Sequence, residues 1–294
     1  MPLSVTTSAD AQTVKYVLPT DDGYGVEITY VNRDSKHIVC FSTQIGCVVG
    51  CAFCISGAAG RRQRSVRSLT ANEIIDQVEF VVADLKLSTS KPILFSAMGE
   101  GEPLLAYRSV VDALMALSRR KGARIALSTS GAKPRRIREL AHECWLKPLK
   151  LQISIHAASD AKRKSLIPLS PPIAEIAEAA EYFAQTTRFP VELNYVLLDG
   201  VNDSREDALA LAQIALPREW LVKLNRFNKS DCVPFSGTPP ERTSLFAQVL
   251  RSAGALVEGY ETNGSDIFAA CGQLSYKVLR QTSADFSVKD LTKL

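Results

Sequence analysis

Nowhere in its 294 residues does the chain hold an apolar run near the about 20 residues that a bilayer crossing needs. Its start, MPLSVTTSADAQTVKYVLP, lacks the basic-then-apolar order of a secretory signal. No internal repeat, low-complexity block or linker composition interrupts the sequence. One domain over residues 1–294 is therefore expected, with an N-terminal extension and strand pair over 1–45, a core over 46–262 and a C-terminal loop and tail over 263–294. Neither sign of charge dominates: 35 Lys and Arg against 31 Asp and Glu leave +4, a mild lean toward an anionic partner that identifies none. These absences set the expectation of a cytoplasmic monomer with no membrane contact. In the cytosol thiols stay reduced, so the seven cysteines are a poor disulfide scaffold and a better metal or redox set.

What is present alternates. VEITYV (26–31) and HIVCFST (37–43) read as an opening strand pair. KPILFSAM (91–98), ARIALSTS (123–130), LKLQISIH (149–156), PVELNYVLL (190–198) and WLVKLNRF (220–227) read as further strands. Helical periods lie between them, near 108–120, 135–144, 173–186, 204–215 and 241–254. The clearest helix begins LTANEIIDQVEFVVADL, where Thr70 and Glu73 have capping-box spacing. Repeated strand–helix units imply a parallel sheet with right-handed crossovers. The expected fold is α/β, a partial (β/α)6 TIM-like barrel with a short N-terminal strand extension. Such barrels carry their reactive groups on loops at the C-terminal ends of strands. The loop after HIVCFSTQIG, GEGEP (99–103), STSG (128–131), SIH (154–156) and the loop after Phe227 should then share one face.

The first of those loops holds CVVGCAFC, with thiols at Cys47, Cys51 and Cys54. Structural zinc takes four protein ligands, commonly as paired C-x2-C units, and here the remaining cysteines are single. Three thiolates can instead hold three irons of a 4Fe–4S cluster, leaving the fourth iron open to a small molecule. Zinc remains the competing reading at this stage.

The C-x3-C-x2-C spacing with Phe53 before its last cysteine resembles the radical-SAM signature. Over about residues 24–275 the chain resembles the RlmN/Cfr family of radical-SAM RNA methylases, on six segments in family order: CFSTQIGCVVGCAFC, MGEGEPLL, ALSTSG, SIHAASDAKRKSLIPL, YVLLDGVND and DIFAACGQL. The resemblance implies Cys47, Cys51 and Cys54 as cluster ligands and S-adenosylmethionine as second cofactor, two molecules per turnover. It implies that Gly101 and Glu102 form the turn receiving the amino group of S-adenosylmethionine, where a carboxylate suits an ammonium. Ser128, Ser154, Ile155, His156 and Asn228 are implied as further contacts to its methionine and ribose parts, with Met98 near the adenine. An external one-electron reductant such as flavodoxin or ferredoxin is implied as well.

By the same resemblance Cys271 becomes an S-methylcysteine whose methyl group is turned into a radical and added to an adenine carbon. Carbon 2 is preferred to carbon 8. Cys40 would take part in proton removal and then capture Cys271 as a disulfide, releasing the product; Glu27 would exchange a proton with the adenine. A glutamate on an inward barrel face is made a weaker acid by burial. The arginine-bearing stretches 61–67 and 133–138 are expected to form a phosphate rim, which favours ribosomal or transfer RNA as substrate. Family members usually carry a separate N-terminal domain before the glutamate strand, and with Glu27 so near residue 1 that domain is expected to be absent. A free nucleotide or small metabolite, or a radical-SAM activase that needs neither Cys40 nor Cys271, are the alternatives. Cys144, in ELAHECWL, is expected to pack in the core.

Overall fold

The computed structural model describes residues 1–60, 67–260 and 262–274. The chain opens with an antiparallel ladder of β1 (Ser4–Thr7), β2 (Thr13–Pro19), β3 (Gly25–Arg33) and β4 (Lys36–Phe41). A two-stranded ribbon, β5 (Gln44–Ile45) with β6 (Arg67–Ser68), brackets the cysteine loop and α1 (Ile55–Gly60). Helix and strand then alternate as α2 (Ala71–Asp84), β7 (Ile93–Ala97), α3 (Tyr107–Ser118), β8 (Ala123–Thr129), α4 (Pro134–Leu140) and β9 (Leu149–Ser154). They continue as α5 (Asp160–Leu166), α6 (Ile173–Thr187), β10 (Val191–Leu197), α7 (Arg205–Ala215), β11 (Leu221–Arg226), α8 (Pro240–Ser252) and β12 (Val257–Tyr260).

Ten strands form one sheet in the order β1-β2-β3-β4-β7-β8-β9-β10-β11-β12, parallel from β4 onward. The strands β4, β7, β8, β9, β10 and β11 each lead into a helical segment, which is the expected (β/α)6 order with β12 appended. The strands β1 and β2 were not foreseen. In β2 even Lys15 is buried, so no apolar–polar alternation marks it. Thr70 caps α2 as its spacing predicts: its side chain accepts from the Glu73 N–H while Glu73 reaches back to the Thr70 N–H. Helix α4 stops at Leu140, short of the expected 144, where the Trp145 indole donates to the Leu140 carbonyl at 2.8 Å. Cys144 therefore lies on the turn beyond it and is exposed, not packed in the core.

The sheet is curled, as covalent reach requires. The chain leaves β12 at Tyr260, and by Asp266 its carboxylate accepts a bond from Ala9 N–H at 2.8 Å, beside β1 at the other edge. Six residues reach about 20 Å at most. A flat sheet would separate those edges by about 43 Å at about 4.8 Å per strand. The segment 262–274 thus ties the two edges of an open barrel together.

Helices cover the outer face with aliphatic residues, whereas the inner face is polar. Register sets Ser128 beside Gln152, Gln152 beside Glu192 and Asn194 beside Lys223. Ser128 donates to Gln152 at 2.9 Å and Gln152 to Glu192 at 2.8 Å, with Lys150 and Lys223 closing on Glu192 at 2.9 and 3.0 Å. This chain of bonds spends the interior's polar groups on one another, as burial demands. For the outer layer, Thr70→Ala should lower apoprotein stability by about 1 kcal/mol, the usual cost of losing an N-cap. Urea denaturation checks it.

Candidate active site

The cysteine loop follows β4 and lies at the C-terminal end of the parallel strands. Cys47, Cys51 and Cys54 line a single cavity. Burial pushes the Cys47 thiol up to about 12, with the neighbouring Cys54 adding to it, and raises Cys51 and Cys54 likewise. Three thiols that resist ionising alone, yet crowd one cavity, suit a cationic group that would neutralise them as thiolates. Among the described residues no three His, Cys, Asp or Glu side chains converge on one ion position. Three cavity-lining cysteines without a fourth protein ligand among the described residues fit a multi-iron cluster with one open iron better than a structural zinc ion. The loop is held tightly: a Cβ on Gly57 would lie 2.6 Å from the Cys51 backbone N and O. The Ala52 N–H reaches the Leu166 carbonyl at 2.8 Å, and Phe53 sets its ring against His156 edge-on at 5.0 Å.

The GEGEP turn packs against the residues just after β4. Gly101 has φ +105°, and a Cβ there would meet Gln44 Cβ and Thr43 Oγ1 at 2.7 Å, so no other residue fits. Glu102 is 3% exposed, and its carboxylate accepts from the Leu104 N–H at 3.0 Å, the Ser130 N–H at 2.8 Å, the Ser130 hydroxyl at 2.7 Å and the Thr129 hydroxyl. Two oxygens offer about four lone-pair sites, and all four are taken. The expected direct carboxylate–ammonium contact is thereby preceded by a structural one: Glu102 bolts the turn to the end of β8.

Ser128, Ser154 and His156 line the same cavity, while Ile155 is buried behind them with its N–H on the Asn194 carbonyl at 3.0 Å. His156 sits at φ +53°, a conformation rare outside glycine. Its Nδ1 accepts from the Val196 N–H at 3.0 Å, and burial, then Arg163, holds its pKa down to about 3. Sequence reasoning missed the two residues that fix this corner. Asn202 is fully buried and bonds the His156 carbonyl, the Val196 carbonyl and the Leu198 N–H, each at 2.7 Å. Arg163 is also fully buried, and its guanidinium donates to the carbonyls of Ser130 and Ser154 and to Ser170 Oγ. Both lie inside quoted motifs, DGVND and SDAKRKSL, but neither residue type announces burial.

A second cavity joins the first and holds Cys40 and Cys271 together. Cys271 is exposed as a residue, yet its Sγ lies inward, 3.7 Å from Met98 Sδ, and burial pushes its thiol up to about 11. Burial raises Cys40 to about 12, with Cys271 adding to the rise. Asn228 Nδ2 donates to the Cys271 carbonyl at 3.0 Å, so it steadies the cysteine loop as well as lining the first cavity. Glu27, 1% exposed, lines neither cavity. Burial is not its only influence, for Lys15 Nζ lies 3.3 Å from Glu27 Oε1 and also donates to the Phe268 carbonyl at 3.1 Å. Thr29, across from Cys40, donates to the Ala269 carbonyl at 3.4 Å. Strands β2 and β3 therefore clamp the segment that carries Cys271.

Part of the expected arginine rim, 61–66, lies outside the described residues. Of the rest, Arg67 pairs with Asp22 at 2.6 Å and Glu73 at 2.7 Å, Arg135 with Glu139 at 3.1 Å, Arg136 with Glu139, and Arg138 with Glu178 at 3.9 Å. None of the four lines either cavity. Neighbouring carboxylates, not an open mouth, answer these charges.

A parallel, curled α/β sheet with three thiols sharing one cavity in the loop after its first parallel strand defines a radical-SAM enzyme, and the Radical SAM superfamily model matches residues 41–212. The chain is 37% identical over 274 residues to the "Probable dual-specificity RNA methyltransferase RlmN" of Thermus thermophilus, covering 91% of this chain and 75% of that protein. It is 36% identical to "Dual-specificity RNA methyltransferase RlmN" of Anaeromyxobacter sp., covering 90% and 71%. The crystal structure of a radical SAM methyltransferase from Sphaerobacter thermophilus superposes with TM-score 0.85 at 33% identity, over 93% of this chain and 80% of that one. This chain belongs to the RlmN family: it is a radical SAM methyltransferase, and its cofactors are a 4Fe–4S cluster and S-adenosylmethionine. No described helix is long and apolar enough to cross a membrane.

Two outcomes test the geometry. Glu102→Gln should lose stability by about 1–3 kcal/mol, because an amide NH2 faces donors where the carboxylate accepted them. It should weaken S-adenosylmethionine binding in parallel, read by denaturation and equilibrium dialysis. His156 should show no imidazole titration by NMR between about pH 5 and 8. Its folded pKa lies below the unfolded 6.5, so its contribution to stability is complete above 6.5 and is lost as pH falls toward about 3.

Proposed function

We propose that the protein methylates carbon 2 of an adenine in RNA by way of an S-methylcysteine at Cys271, with Cys40 as the resolving thiol. The observation that carries this reading is the confluence of two cavities, one lined by the three cluster cysteines and the other by Cys40 and Cys271, with Met98 and Asn228 common to both. When bound, the cluster and S-adenosylmethionine supply the one-electron chemistry that abstracts hydrogen from a methyl group. The chain supplies the carrier, the proton traffic and the alignment.

Each thiol must ionise to do its task. Cys271, at about 11, is protonated at neutral pH and must lose its proton to take a methyl group. Cys40, pushed up to about 12, must likewise give up its proton before it can take one from the substrate or attack a sulfur. Once the methylene carbon is bonded to carbon 2, the adduct would return one electron to the cluster and lose its carbon-2 hydrogen as a proton to Cys40. The Cys40 sulfur, freed of that proton, then attacks the Cys271 sulfur, and the S–S bond forms as the C–S bond breaks. The carbon takes the electron pair and a proton, and the product leaves as methyladenine. Glu27 lines neither cavity and is linked to the segment carrying Cys271 through Lys15, so proton exchange with the adenine requires that segment to shift. A small external electron carrier such as flavodoxin or ferredoxin provides the electron, and a reductant reopens the disulfide. The relatives named for RNA methylation support RNA over a free nucleotide.

Mass spectrometry of the Cys271 peptide, after anaerobic reconstitution with iron, sulfide, reductant and S-adenosylmethionine, should show a gain of one CH2 unit. Cys271→Ala should keep reductive cleavage of the cofactor and lose all RNA methylation. Cys40→Ala should accumulate a covalent protein–RNA adduct. Methyladenine formed at the normal rate by Cys271→Ala would overturn the mechanism.

A further inference from the structure

The end of β11 presents two polar residues whose chemistry no described residue satisfies. Asn225 Oδ1 is buried and meets no donor. Arg226 is exposed, and among the described residues its guanidinium makes no hydrogen bond or ion pair, unlike Arg67, Arg135, Arg136 and Arg138. Both residues line both cavities, at the junction shared by Cys271 and Asn228. A buried acceptor with no donor costs about 1–3 kcal/mol, so it marks a place where a ligand completes the site.

We propose that Asn225 and Arg226 recognise the target nucleotide, the amide of Asn225 taking the exocyclic amine of the adenine and Arg226 a flanking phosphate. This rests on the RNA-adenine reading above. The order of the two groups matches a nucleotide: the unsatisfied carbonyl oxygen lies inside, where a base enters, and the free cation lies outside, where the backbone stays. An amide is the side chain that pairs in two directions with adenine, and a planar guanidinium forks onto phosphate oxygens. S-adenosylmethionine carries an adenine amine and a carboxylate, so it is the competing occupant of these two groups, and its affinity is measured in parallel to separate the two. Among the described residues that line the two cavities, Arg226 is the one arginine or lysine, and it has no carboxylate partner there.

The test uses the anaerobically reconstituted protein and two single-stranded oligoribonucleotides, one with a single adenine and one with purine riboside, which lacks the amine, in its place. Affinity is measured against salt, and S-adenosylmethionine affinity in parallel by equilibrium dialysis. Arg226→Gln should weaken RNA binding about tenfold and cut the salt slope by about 0.7–1, the share of one phosphate contact. Arg226→Lys should keep the slope. Wild type should prefer adenine to purine about tenfold, and Asn225→Leu should abolish that preference; cofactor affinity should stay within about twofold throughout. An unchanged slope in Arg226→Gln, or a preference retained in Asn225→Leu, overturns the pair. So does a loss of cofactor affinity in either, which assigns these residues to S-adenosylmethionine. Because binding is read without turnover, a wild type that shows these slopes yet forms no methyladenine supports the pair and counts against the reaction instead.

Discussion

The buried carboxylate of Glu102 is the bond on which the site turns. It joins the loop after β7 to the end of β8 through Thr129 and Ser130, and the Glu102 N–H in turn donates to Gln44 Oε1 at 2.8 Å, just upstream of the cysteine loop. Three strand ends are thereby held to one residue, two of them through its carboxylate and the third through its backbone N–H. Gly101 beside it has room for no side chain, which keeps the turn against Thr43 and Gln44. A surface ion pair would contribute little here, but an acceptor with every lone pair filled inside the protein fixes positions to hydrogen-bond tolerance.

The next strand ends are held by the opposite charge. Arg163 collects the carbonyls of Ser130 and Ser154, so the β8 and β9 loops are tied by a cation as the β7 and β8 loops are tied by an anion. Burial lowers its pKa to about 10, still well above neutrality, and the nearby Cys51, Asp160 and Glu102 favour the charge. A permanent positive charge close to Cys51 offsets part of the cost of ionising that thiol, which is the state a metal cluster requires. Asn202 completes the arrangement at β10, where its amide replaces the bonds the chain cannot make as His156 turns through a positive φ.

The reactive cysteines depend on a different constraint, the closure of an open sheet. Residues 262–274 run from the β12 edge to the β1–β3 ladder, held by Ala9, Lys15 and Thr29, and set Cys271 over Met98 in the cavity of Cys40. This segment is held largely by hydrogen bonds onto its backbone carbonyls, from Lys15, Thr29, Ile55, Ser56 and Asn228, in contrast to the aliphatic core beneath the helices. A strap of that kind can open locally without unfolding the barrel, and methyl transfer and disulfide formation both need the Cys271 sulfur to change partners.

Much of this was legible in the residues. The alternation of apolar strands and amphipathic helices determined the parallel sheet, and the Thr70–Glu73 spacing determined a helix start. The thiol spacing in CVVGCAFC singled out the cluster loop. Local pattern carries such information because it depends on neighbours three or four residues apart. What the residues did not disclose depends on partners far along the chain. Arginines that looked like a phosphate rim are bound to Asp22, Glu73, Glu139 and Glu178, and Glu102 spends its carboxylate on β8. Lys15 lies buried between Glu27 and Phe268, while Asn225 and Arg226 stand unsatisfied at the mouth. A charge or an amide in a sequence states only what it can bond to. The sequence by itself determined the sheet and the chemistry of its thiols; tertiary structure alone decided which polar groups the fold consumes and which it leaves for a ligand, because only packing settles who is within reach of whom.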